Sequence, residues 1–184
     1  GSLAAKSGLL LSTRDLERLV AQMQLSQTAG KLGAVILWLQ ACSSAGELVG
    51  QVGGTSALCT MLNRAVDEHS LEGSYAIQAT WACAALWRLC FTPSNAVTCL
   101  EMATLSLLAA TQQKEHSKLS ATALGCVNIA MTGGSKGLFE RLEKLGVASA
   151  LRSLASSANF READRVRATR TLNDVQSATE SSPA

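Results

Sequence analysis

The sequence predicts an all-α fold assembled from repeated helical units, and three observations carry that prediction. Hydrophobic residues make up 47% of the 184 positions, while aromatics are only 4% and charged residues 16%. The apolar content is mainly Ala and Leu, which favour helix, with few of the β-branched and aromatic residues that strands prefer. Prolines number two, Pro93 and Pro183, so long stretches carry no helix breaker. Apolar positions recur at helical spacing between Gly, Ser and Asn punctuation, and the same order of events returns along the chain. This composition excludes a disordered chain, and the length fits one domain on a prior of about 100–200 residues.

The elements follow in order. Residues 1–10 begin Gly-Ser, in the manner of a cleavage scar, and are expected to fray. From Ser12, the segment STRDLERLVAQM sets Leu16, Leu19, Val20 and Met23 on one face of an amphipathic helix. Thr28 to Cys42 reads as a second helix, apolar around most of its circumference and so buried on two sides. The pair Gly53-Gly54 precedes a short helix, SALCTMLNRA, and the charged stretch VDEHSLEG is a loop. Tyr75 to Cys90 is a nearly all-apolar helix closed by Thr92-Pro93-Ser94-Asn95. Ala96 to Thr111 is helical, QQKEHSK is a polar turn, and Leu119 to Met131 is helical up to the stop Thr132-Gly133-Gly134-Ser135. Gly137 to Lys144, Val147 to Ala155 and Glu162 to Gln176 complete the set, leaving a polar tail at 178–184. The folded domain is therefore expected over 11–177.

Aligning the long helices by their ends gives ILWLQAC, AALWRLC, LGCVNIA and RTLNDVQ. Trp38, Leu86, Cys126 and Leu172 then share a column, at spacings of 48, 40 and 46 residues. The short helices align as well, GGTSALCTML beside GVASALRSLA, with Gly53 matching Gly146. Periods of about 40–47 residues holding two or three helices characterise armadillo and HEAT units. On these residues the chain resembles the armadillo-repeat family, most clearly in ATALGCVNIAM (Ala121 to Met131) and QVGGTSALCTML. The resemblance covers about Leu11 to Ser177. It implies a right-handed α-solenoid of roughly three and a half to four armadillo-like or HEAT-like repeats, in which stacked units share one core.

No catalytic constellation is legible. His69 and His116 fall in polar turns, and no Cys–His arrangement carries an orienting group. Cys42, Cys59, Cys83, Cys90, Cys99 and Cys126 form no C-x-x-C pair and lie in apolar runs, so they read as buried free thiols rather than disulfide partners or zinc ligands. Gly133-Gly134-Ser135-Lys136-Gly137 lacks the order of a phosphate-binding loop and reads as a helix stop. The chain is expected to be no enzyme and to need no cofactor or metal. A net charge of +2 gives no ground for a nucleic-acid partner. The longest apolar run, Ala34 to Leu39, is too short to span a membrane, and neither a secretory signal nor a disulfide framework is visible, so a cytoplasmic location is expected.

The functional expectation comes from the column that corresponds to the family's ladder asparagine: Gln40, Arg88, Asn128 and Asp174. Four polar residues inside otherwise apolar helix ends should face an open surface. The resemblance implies a concave groove lined by the third helices, where such amides hydrogen-bond an extended peptide. Four and seven positions earlier on the same face stand Ile36 and Gly33, Ala84 and Trp81, Leu124 and Ala121, and Arg170 and Arg167. The usual groove tryptophan is absent from the nearer of these, which argues against a basic nuclear-import-type peptide. Trp81 beside Arg88 is the expected anchor, since Trp and Arg are enriched at binding hot spots. Trp87 is expected in the core between layers. Arg161, Arg165, Arg167 and Arg170 on the last helix form either a solvated face, a basic end to the groove or an end cap.

The chain is thus expected to be a scaffold or adaptor that binds a protein or extended peptide. The same residues also fit a regulatory or targeting domain of a larger protein, or an anionic-ligand binder (phosphoinositide or nucleic acid) working through the Arg-rich helix.

Overall fold

A computed structural model describes residues 13–25, 46–68, 70–132, 140, 142–158 and 160–180. Regular structure among them is entirely α-helical: α1 (Thr13–Leu25), α2 (Gly46–Gln51), α3 (Gly54–Asp67), α4 (Ser74–Leu89), α5 (Pro93–Thr111), α6 (Ser117–Thr132), α7 (Val147–Ser156) and α8 (Glu162–Glu180). The expected helix over Thr28 to Cys42, with Trp38 and Gln40, lies outside the described residues, as do the Gly-Ser start, His69 and the Gly133–Gly137 stop.

Three helical hairpins follow one another, α3–α4, α5–α6 and α7–α8, and the two helices of each pack together. Successive hairpins also meet helix on equivalent helix. α3 lies on α5 with α7 beyond it, and α4 lies on α6, which lies on α8. The result is two layers, α3/α5/α7 and α4/α6/α8, with apolar side chains between them. Leu58 and Leu62 of α3, Leu86 of α4, Leu107 of α5, and Leu119 and Leu124 of α6 are all fully buried there. α1 adds Leu16 and Val20 to the same core from the predicted stripe and packs on α3.

Local chemistry explains where the helices start. Gly53 and Gly146, the pair matched by sequence, adopt nearly identical left-handed conformations (φ 83°, ψ 12° and φ 82°, ψ 18°) at the N-caps of α3 and α7. A Cβ at either position would meet nothing within 4 Å, so backbone conformation rather than space calls for glycine. The middle hairpin starts differently. Pro93 is the first residue of α5 and follows an extended Thr92, so this helix begins three residues before the expected Ala96. Proline closes the preceding helix yet suits a helix's first position, because its missing N–H has no partner there.

Asn95 ties this corner down. It is buried, accepts from Thr55 Oγ1 at 3.0 Å, and donates to the carbonyls of Gly46 at 2.8 Å and Leu89 at 3.3 Å. Gly46 and Gly50, one turn apart, let α2 approach: a Cβ on Gly50 would fall 2.0 Å from Asn95 Oδ1.

Two further boundaries differ from the sequence reading. The expected loop 66–73 is shorter, because α3 runs to Asp67 and Leu71 turns inward. Leu71 is buried, with φ at 59°, and its N–H donates to Ala65 at 2.9 Å. Apolar burial there offsets a left-handed conformation that costs a leucine about 1–2 kcal/mol. α8 continues to Glu180, past Gln176 and past the domain end expected at 177, so residues 178–180 of the expected tail are helical.

The aligned column of Trp38, Leu86, Cys126 and Leu172 meets the core where it is described. Leu86 and Cys126 are fully buried and Leu172 packs against the core. Five cysteines, Cys59, Cys83, Cys90, Cys99 and Cys126, are free and buried, as their apolar surroundings predicted.

Candidate docking surface

α4, α6 and α8 run side by side in the same direction. Trp81 lies near Lys118 and Thr122 at the start of α6, while Trp87, later on α4, lies on Gly125, later on α6. Asp164 of α8 shares a groove with Ala121, and farther along Asn128 Nδ2 donates to Thr171 Oγ1 at 2.7 Å. Neighbouring helices are therefore matched at an offset of about forty residues, close to the period in the sequence.

Two grooves open on this layer. One, of about 440 Å³ between α4 and α6, is lined by Ile77, Thr80, Trp81, Ala84, Lys118 and Thr122. The other, of about 500 Å³ between α6 and α8, is lined by Trp87, Ala121, Arg161, Asp164 and Arg167, and again by Lys118 and Thr122. Lys118 and Thr122 of α6 border both grooves, so the two lie side by side along the α4/α6/α8 layer and together make up a docking trough. Small apolar residues line it beside the tryptophans: half-buried Ala84 and Ala121, and exposed Ala163. Ile77 stands 52% exposed at one end, four residues before Trp81 on the same face of α4.

Gly125 shapes the middle of the trough. A Cβ on it would fall 2.8 Å from the indole of Trp87, so the ring rests directly on the α6 backbone. The guanidinium of Arg167 stands over that ring, 5.4 Å from its centroid, in cation–π geometry.

Charge is lopsided here. Lys118, Arg161 and Arg167 border the α6–α8 groove against a single carboxylate, Asp164. Asp164 is buried beneath them and accepts from Arg161 Nε at 2.9 Å, with Arg167 Nη1 at 4.0 Å. Side chains of Arg161 and Arg167 stay 69% and 35% exposed, so both cations also face solvent. The trough thus presents positive charge around an aromatic and aliphatic floor.

The predicted site residues divide accordingly. Trp81 and Arg167 line the trough. Arg88 is exposed on the last turn of α4 but lines neither groove, and the cation that borders the Trp81 groove is Lys118. Asn128 is half-buried, and its amide N–H engages Thr171 across the α6–α8 junction. Arg170 and Asp174 are exposed on α8. Gln40 lies outside the described residues.

Leu124, expected on the ladder face, is fully buried, because α6 is flanked by helices on both sides and shows solvent only a narrow strip. Trp87, expected in the core, is half-buried and lines a groove. A glycine in the middle of an otherwise good helix, Gly125, was the signal for that close approach. Lys118 fell within a stretch read as a turn, and α6 begins one residue before it, at Ser117.

A second chemistry lies inside the core. Cys90, just beyond α4, Cys99 of α5 and Cys126 of α6 bring their sulfurs within 4.8 Å of one another. Thiol hydrogen bonds from Cys126 and Cys99 pull Cys90 down to about 5, against the opposing effect of burial. As the donors, Cys99 and Cys126 are pushed up, Cys99 chiefly by Cys126 and Cys126 chiefly by Cys90. Burial pushes Cys83 up, and Cys59 beside it adds to the effect.

Among the described residues no helix is long and apolar enough to cross a membrane. No family model, curated protein or solved structure matches this chain.

Proposed function

We propose that the chain is a non-catalytic, armadillo-like α-solenoid that binds an extended acidic peptide segment of a partner protein along the α4/α6/α8 layer. The observation that carries the proposal is the pair of adjacent grooves that share Lys118 and Thr122 and bring Trp81, Trp87 and Arg167 to one face. The matching glycine turns at Gly53 and Gly146, and the hairpin-on-hairpin packing, support the repeat architecture.

Charge complementarity selects the occupant. An acidic segment carrying an aliphatic or aromatic residue would set its carboxylates against Lys118, Arg161 and Arg167 and its apolar side chain between Ile77 and Trp81. Partly desolvated Arg–carboxylate contacts add orientation as well as attraction. A compact phosphate would meet only the cationic rim and leave Ile77 and Trp81 uncovered.

Selection of random linear peptides on the full chain tests this. Acidic sequences with at least one large apolar residue should be enriched, and their binding should weaken as salt is raised. Trp81→Ala and Arg167→Ala should each weaken the selected peptides about tenfold, roughly 1.4 kcal/mol. Leu105→Ser, on the exposed face of α5 in the other layer, should leave binding unchanged. Failure to enrich any sequence, or binding indifferent to Trp81 and Arg167, would overturn the proposal.

A further inference from the structure

The end of α4, α5 and α6 deliver thiols to one place in the core. Cys90 and Cys99 flank the α4–α5 corner and Cys126 comes from α6, while Cys59 on α3, also fully buried, stands outside this 4.8 Å group. None of the spacings resembles a closely paired ligand motif, so only the packing of the first two hairpins assembles the group.

The geometry suits a metal. Sulfurs of Cys99 and Cys126 are 3.8 Å apart. A tetrahedral ion with metal–sulfur bonds of about 2.3 Å separates its sulfurs by about 3.8 Å. All three sulfurs lie within 4.8 Å of one another, so contraction by less than about 1 Å brings the widest pair to that spacing. No histidine or carboxylate belongs to the group, and an all-sulfur donor set selects thiophilic ions over calcium or magnesium.

We propose that Cys90, Cys99 and Cys126, joined by a shift of the buried Cys59 as the fourth donor, form a structural thiolate site for a single zinc ion. Binding replaces the thiol protons by the ion: each S–H loses its proton to solvent as its S–Zn bond forms, with no change of oxidation state. The dipositive ion cancels half the charge of four thiolates, and direct S–Zn bonding supplies the stabilisation that water gives them outside the core. Because the donors come from α3 and the end of α4 on one side and from α5 and α6 on the other, the ion staples the first hairpin to the second. The sulfurs are sealed from solvent, so the ion enters as the chain folds.

The test uses the full chain, refolded under reducing conditions with cobalt(II), with zinc(II) or with chelator alone. One cobalt per chain, with the intense near-ultraviolet absorption of sulfur-to-cobalt charge transfer, and its bleaching by one equivalent of zinc, are expected. Affinity should fall steeply on acidification, since protons compete for the sulfurs, and the thermal midpoint should rise with free zinc. Cys126→Ser and Cys90→Ser should each weaken zinc at least 100-fold, while Cys83→Ala should retain it.

Should the serine variants fail to fold, cysteine-by-cysteine alkylation of the unmutated chain in dilute denaturant supplies an independent readout. Zinc should protect Cys59, Cys90, Cys99 and Cys126 more strongly than Cys83. A chain that takes up neither cobalt nor zinc at micromolar concentration, that retains only copper(I), or in which zinc protects none of these four would overturn the assignment.

Discussion

The two junctions between successive hairpins are built from different chemistry. Between the first and second hairpins, α3 and α4 meet α5 and α6 through leucine, alanine and cysteine side chains that are almost all fully buried. Between the second and third, buried Ala168 and Val175 of α8 continue the same core, Asn128 of α6 donates to Thr171 of α8, and Arg167 of α8 reaches over Trp87 of α4. α5 and α7 touch only lightly across that second junction. Apolar contact dominates the first pair around one sealed polar tie, Thr55 on Asn95, whereas the oriented contacts of the second, Asn128 on Thr171 and Arg167 over Trp87, involve the half-buried side chains of Asn128, Arg167 and Trp87. The difference shows which face stays open: the trough runs along the α4/α6/α8 edge of both junctions, and its cationic rim, Arg161 and Arg167, stands at the second.

Truncations should separate the two junctions most clearly. Leu86→Ala in the first should lose about 3 kcal/mol, because no water and few neighbours fill the space left by a sealed side chain. The half-buried Leu172→Ala in the second should lose about 1 kcal/mol. Midpoints of urea unfolding check both, and equal losses would contradict the distinction.

Next in size is Gly125→Val, whose branched side chain would enter the space held by the Trp87 ring. Overpacking should cost about 2 kcal/mol and displace the indole, read as a shift in tryptophan emission. Smaller still, Thr171→Val removes the acceptor for Asn128 and should cost about 1 kcal/mol. A double-mutant cycle with Asn128→Ala should return a coupling of about 0.5–1 kcal/mol. The least effect on folding is expected for Arg167→Ala, about 0.5 kcal/mol from the lost cation–π contact, although the same change should weaken peptide binding about tenfold.

How much of this was legible in the sequence depends on whether a feature is local. Helix positions followed from apolar spacing, and the Gly53–Gly146 correspondence appears as two turns of the same hand. Boundaries slipped where one residue suits two roles: Pro93 ends one helix and starts the next, and Leu71 sits in a polar stretch yet turns inward. The trough was partly visible, through Trp81 and Arg167. Lys118, Thr122 and Trp87 join it only because helices some forty residues apart lie in register, which no local window contains. The meeting of Cys90, Cys99 and Cys126 is non-local in the same way. A search for closely spaced ligand pairs passes over thiols that only tertiary packing brings together.

The most direct measurement of the central claim is hydrogen–deuterium exchange of the full chain with and without a selected acidic peptide. The account predicts added protection in α4, in the first half of α6 and in the first half of α8, with the solvent face of α5 around Met102 and Leu105 unchanged. Protection confined to α3 and α5, or none in the three helices that bear Trp81, Lys118 and Arg167, would contradict it.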